Sequence, residues 1–109
     1  MQDSFQRLGV GSVNPFKGPH TQEPVLDVYT DAIIGMHGQT IKSLFTKSGC
    51  YIFVPKDTVD GHRVYQLSGA AESVQKCRLD IICVVQNVSA FIAQHKLELS
   101  AESVLKYIN

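Results

Sequence analysis

Gly35 and Gly38 stand either side of Met36-His37, entered by the apolar pair Ile33-Ile34 and followed by Ile41, Leu44 and Phe45 at helical spacing. That spacing predicts a sharp turn feeding the start of a helix, because glycine takes backbone dihedrals closed to other residues. Such a turn bares its backbone, and the helix beginning there points unpaired N–H groups outward. The natural ligand of the arrangement is an anion, phosphate above all. Taken alone, Gly-x-x-Gly also describes a plain corner between two helices, so the flanking segments have to decide.

On the N-terminal side, residues 1–24 hold Pro15, Pro19 and Pro24 with few large apolar side chains, and read as a flexible arm or linker. Phe5, Leu8, Val10 and Phe16 are the side chains able to dock it. From Val25 to Thr30, Leu26 and Val28 alternate with Asp27 and Tyr29, a first strand with Leu26 and Val28 on its covered face. Asp31 is a good start for the short helical turn Ala32-Ile33-Ile34, and a second helix runs from after Gly38 to about Ser48, ended by Gly49.

The β-branched and aromatic run Cys50–Pro55 predicts a second strand with Ile52 and Val54 on one face, stopped by Pro55. Lys56 to His62 is a polar loop, and Arg63–Leu67 alternates as a third strand. A long helix begins near Ala70 and continues to about Gln94, with Val74, Cys77, Ile81, Val85, Val88 and Ile92 as the stripe that packs on the sheet. Leu79, Ile82 and Val84 lie off that stripe and need a second cover. The choices are a C-terminal helix, Ser100–Ile108, acting through Val104, Leu105 and Ile108, or a second subunit.

Composition bounds the function. At 109 residues and 44% apolar content, the chain makes one domain with a modest core. Ten basic residues balance ten acidic ones, and residues 1–24, 25–69 and 70–109 are each neutral, so a global basic field is excluded. Any nucleic-acid binding then rests on local geometry. Cys50, Cys77 and Cys83 are odd in number and lack Cys-x-x-Cys spacing, which points to buried reduced thiols and no zinc site. No signal segment is evident, and no apolar run reads as membrane-spanning, so the expected compartment is nucleus or cytoplasm.

The order β-α-α-β-β-α, together with Ile33-Ile34-Gly35-x-x-Gly38-x-x-Ile41-Lys42-x-Leu44, Ser48-Gly49-x-x-Ile52-x-Val54 and Arg63-Val64-x-x-Leu67-x-Gly69, resembles a type I K-homology (KH) domain over residues 25–95. The resemblance implies an α+β fold, a three-stranded antiparallel sheet packed on three helices. The extended last helix and the extension at 96–109 exceed it. It also implies a non-enzymatic, cofactor-free binder of single-stranded RNA, with single-stranded DNA as an alternative, in mRNA processing or regulation: splicing, stability, localisation or translation.

In such a domain the Gly-x-x-Gly loop clamps backbone while about four nucleotides lie across an apolar groove. Carried over residue by residue, Gly35, Met36, His37 and Gly38 fall on the clamp. Ile34, Ile41, Leu44 and Phe45 fall on the helical wall, and Ile52, Phe53 and Val54 on the strand wall. Lys42, Lys56 and Arg63 fall at the polar edge. Backbone groups of the strand beside the groove can read base edges.

The departures from the family pattern also bear on function. Members often place a basic residue inside the clamp, whereas Met36 and His37 stand here, so phosphate attraction is weaker and partly pH-dependent. Asp31 brings negative charge near the RNA path. Phe45 replaces an arginine frequent in cytosine-preferring members, although Arg63 matches the arginine opening the third strand.

Other readings of single residues are blander. His37 has no nucleophile and orienter that would make it a catalytic base. Tyr29, Tyr51, Phe53 and Tyr65 fit sheet packing better than base stacking. Arg63 pairs with Asp57 or Asp60 if it does not meet RNA. A protein-interaction or homodimerisation module on the same scaffold, acting through the last helix with weak RNA affinity, is the alternative from a different class.

Overall fold

In the computed structural model, residues 10–11 and 20–109 are described. Strand β1 is Val10–Gly11, β2 Thr21–Leu26, β3 Tyr51–Pro55 and β4 His62–Ser68. Helix α1 is Thr30–Ile34, α2 Gln39–Ser48, α3 Ala71–Gln94 and α4 Ala101–Ile108. The sheet order is β1-β3-β4-β2, with β4 antiparallel to both β2 and β3. This is the expected α+β architecture, extended by β1, which pairs in parallel with β3. Phe5, Leu8 and Phe16, the other candidate docking side chains, lie outside the described residues.

The first strand starts earlier than its local pattern predicts. It spans Thr21–Leu26, after which Asp27–Tyr29 form a 3-10 turn and Thr30 opens α1. Its length is set by β4, since the register runs unbroken from Thr21 opposite Leu67 to Leu26 opposite His62. Pro24 is tolerated because β2 is an edge strand. The Asp27 amide donates inward to the Gly61 carbonyl at 2.9 Å. Alternation along the strand then turns position 24, which has no N–H, to the free edge.

The same change reverses the expected faces: Val25 and Tyr29 are buried and Leu26 is exposed. Tyr29 Oη lies 2.8 Å from Ser89 Oγ, and Tyr65 Oη donates to the buried Thr30 Oγ1 at 2.9 Å. Both phenols are satisfied where they are packed. Asp31 sits inside the first turn of α1, where its charge suits the helix start, and not at the cap.

The segment read as a polar loop tightens into a hairpin. Asp60 and Gly61 both have positive φ (52° and 77°), and Val59 and His62 exchange backbone hydrogen bonds at 2.7 and 3.0 Å. Two successive positive φ angles match the right-handed twist of the strands, and Asp-Gly is well suited to them. His62 accordingly belongs to β4.

Helix α2 ends where expected, at Gly49 with φ 75°. Along α3, Val74, Cys77, Ile81, Val88 and Ile92 are buried on the core with Ile33, Ile41, Ile52, Val54 and Leu67, while Val85 is half-buried. At 24 residues with an 18-residue window of mean hydropathy 1.2, α3 is by length and composition able to cross a bilayer, contrary to the sequence expectation. In this fold its apolar stripe covers the sheet, and Arg78 Nε binds Glu23 Oε1 of β2 at 2.8 Å.

The cover on the back of α3 is partly in cis. Ser100 caps α4 by accepting from the Ser103 amide at 3.2 Å, and α4 packs on α1 and α3 through the fully buried Val104, with Ile108 and Leu97 beside it. Phe91 meets Tyr107 edge to face at 5.5 Å. Leu105, expected in the cover, is exposed, as are Leu79 (56%) and Ile82 (40%), because α4 packs on α1 as well as on α3 and leaves these two side chains open. Val84 packs against the core.

Candidate nucleic-acid interface

The turn after α1 is built by backbone conformation. Gly35 ends the helix with φ 79° and ψ 172°, its amide donating to the Asp31 carbonyl at 2.8 Å. The Gly38 amide donates to the Gly35 carbonyl at 3.2 Å, and Gly38 has φ 75°. Between them His37 also takes the left-handed region, φ 55°, which histidine tolerates better than branched residues do. Met36 (47% exposed) and His37 are thrown outward, and α2 starts at Gln39 with no side chain capping it. The turn thus presents two exposed side chains beside a helix start that no side chain caps, with Gly38 buried beneath them.

The other candidate residues fall into two layers. Lys42 and Lys56 are exposed, and Ile34, Phe45 and Arg63 are half-buried. Ile41, Leu44, Ile52 and Val54 are buried in the main core, so they hold the walls from beneath and offer little side-chain surface. Phe53 is also buried but lies on the opposite pleat, outside that core.

Arg63 has a partner that the sequence spacing did not suggest. Its Nε meets Asp27 Oδ1 at 2.5 Å and its Nη1 donates to the Pro55 carbonyl at 2.9 Å. Neither Asp57 nor Asp60 is that partner, because the β2–β4 register sets Val25 opposite Arg63 and brings Asp27 within reach. The one arginine assigned to the polar edge is therefore already neutralised.

Aromatic packing separates the four candidates for stacking. Tyr29, Phe53 and Tyr65 are buried, whereas Tyr51 is 51% exposed and rests on Phe45, ring centroids 4.9 Å apart. Gly49 turns the chain between these two rings, so a tilted ring pair could have been read from Phe45-x-x-x-Gly49-x-Tyr51. A second feature escaped the sequence. An open depression of about 280 Å³ lies between Gly35, Met36, Gln39 and Thr40 on one side and Tyr107 and Ile108 of α4 on the other.

The thiols are not all buried: Cys83 is exposed. Cys50 and Cys77 are fully buried; Cys50 Sγ donates to the Tyr51 carbonyl at 3.4 Å, and interaction with Cys50 together with burial pushes the Cys77 thiol well above its usual range.

A comparison with curated proteins finds no match. A comparison with protein families matches the KH domain over residues 27–83, more than half of the chain. The span opens at the 3-10 turn before α1 and closes inside α3, so it contains the whole glycine turn and both of its walls. The strand and helix order around that turn is β-α-α-β-β-α, and the chain belongs to the KH family, as a type I KH domain.

Proposed function

We propose that this chain is a single-stranded RNA-binding module of an mRNA-processing or mRNA-regulating protein of the nucleus or cytoplasm, gripping RNA at Gly35–Gly38. KH domains bind RNA in general, and membership of the family supports that much directly. The observation that carries the finer reading is the glycine turn itself. Two positive-φ glycines hold Met36 and His37 out beside an uncapped helix start, where phosphate oxygens meet backbone N–H groups. Phe45 and Tyr51 give a base a stacking face, and Lys42 and Lys56 supply charge at the rim.

Replacing Met36 and His37 together by Asp sets two carboxylates against phosphate without removing a buried contact. The double variant is expected to keep its fold by circular dichroism and to lose binding to fluorescein-labelled random single-stranded RNA in a polarisation titration. Equal binding by the two proteins would remove the glycine turn as the RNA site. Selection from a random RNA pool then gives the preferred sequence.

A second reading, association with another protein or a second copy through the last helix, is favoured by the exposure of Leu79 and Ile82. Ile82 lines a hollow of about 240 Å³ together with Pro24, Leu26 and Val85. Light scattering over a concentration series tests it; a monomer at every concentration removes self-association.

A further inference from the structure

A sheet edge is a row of unpaired N–H and C=O groups, able to receive an extended chain. One edge of β3 is used by β4, from Tyr51 opposite Ser68 to Phe53 opposite Gln66. The opposite edge carries β1, with Val10 beside Val54 and Gly11 beside Pro55 in parallel. A strand has two edges, and β1 takes the second one at its C-terminal end, opposite Val54 and Pro55.

The RNA reading above places β3 as the wall whose backbone would meet bases, and the edge required for that is the one β1 holds at Val54 and Pro55. A backbone group paired with Val10 or Gly11 cannot at the same moment pair with a base. Two residues of pairing are a short contact, held by few hydrogen bonds, and a segment so attached exchanges with other ligands readily.

We propose that Val10–Gly11 is a built-in occupant of the β3 edge, an extended peptide that competes with single-stranded RNA for the same backbone groups. The proposal rests on the RNA-binding reading and adds its regulation. RNA must displace the segment, so the measured affinity is the intrinsic one multiplied by the fraction of molecules in which the edge is open. It also explains why the sheet has a strand that β-α-α-β-β-α does not require.

The test is a Gly11→Pro substitution in the full chain, which removes a backbone donor and opposes strand pairing while leaving every residue from 20 onward unchanged. Fluorescein-labelled random single-stranded RNA decamers serve as the probe. The variant is expected to bind about fivefold to tenfold more tightly than wild type. A synthetic peptide of residues 5–16, added in excess, is expected to return it to wild-type affinity.

Hydrogen exchange at the Val54 amide, opposite Val10, without RNA gives a second reading, expected to be faster in the variant. Unchanged or weaker RNA binding alongside faster exchange overturns the competition. Unchanged exchange overturns the pairing in solution. Faster exchange with no RNA bound by either protein means that the RNA reading has failed, and the competition with it, while the strand contact stands.

Discussion

A Cβ built on Gly35 would lie 2.2 Å from Thr40 Oγ1 and 2.7 Å from the Thr40 amide nitrogen. Together with a φ of 79°, this leaves no room for any side chain. Gly35→Ala is expected to lower stability by more than about 2 kcal/mol and to disorder the turn it shapes. Urea denaturation measures the first effect, and RNA titration at a temperature where the variant is folded measures the second. A variant as stable as wild type would mean that Thr40 can withdraw.

The ionic balance of the proposed interface fixes its salt response. With Arg63 held by Asp27, Lys42 and Lys56 remain as the exposed cations assigned to phosphate. Two contacts give a slope of log affinity against log salt of about −1.4, at ~0.7 per contact. Asp27→Asn frees the guanidinium and is expected to steepen the slope to about −2.1. Because the ion pair is partly exposed, the same change costs less than about 1 kcal/mol of stability. Slopes beyond about −4 would reveal a basic surface elsewhere.

Alkali should destabilise the domain through a buried phenol. Burial raises Tyr65 well above its ordinary value of 10.0. A raised value means the folded chain keeps protons that the unfolded chain has released. The Tyr65 contribution is therefore whole below about pH 10 and is lost as pH rises above it. Urea midpoints from pH 7 to 11 trace this, and Tyr65→Phe should flatten the upper part while costing stability at every pH through the orphaned Thr30 hydroxyl. A level profile to pH 11 would contradict the assignment.

Two neighbours on α4 separate packing from mere apolarity. Val104 is fully buried and Leu105 is exposed. Val104→Ala is expected to cost about 2–3 kcal/mol, from two lost methyl groups and the cavity they leave. Leu105→Ala should stay within about 0.5 kcal/mol. Thermal melts of the two variants decide it, and equal losses would place α4 differently on the core.

What the sequence made legible was whatever depends on local periodicity and on glycine. The stripe from Val74 to Ile92, the stops at Gly49 and Gly35, and the start of the last helix at Ser100 are all local, and each stands within a residue or two of its expected place. What stayed hidden depends on pairing between distant segments. The start of β2 at Thr21 is dictated by the length of β4, and the Arg63 partner by the register between them. For the candidate interface, the positions on the glycine turn were visible in the spacing. Whether Ile41 or Tyr51 faces solvent was not, because an apolar residue in a wall and one beneath it obey the same periodicity.

Pro24 gives the sheet a direction of growth. For molecules to join edge to edge in an unlimited run, each needs one edge that donates and another that accepts. Position 24 withholds a donor on the β2 side, so that side is a poor template, and strand addition is confined to the edge where Val10–Gly11 sits. If that segment is exchanged between two molecules, each fills the other's open edge and neither has a second one to offer. Exchange then closes on itself as a pair, and the proline in β2 guards against polymerisation by that route.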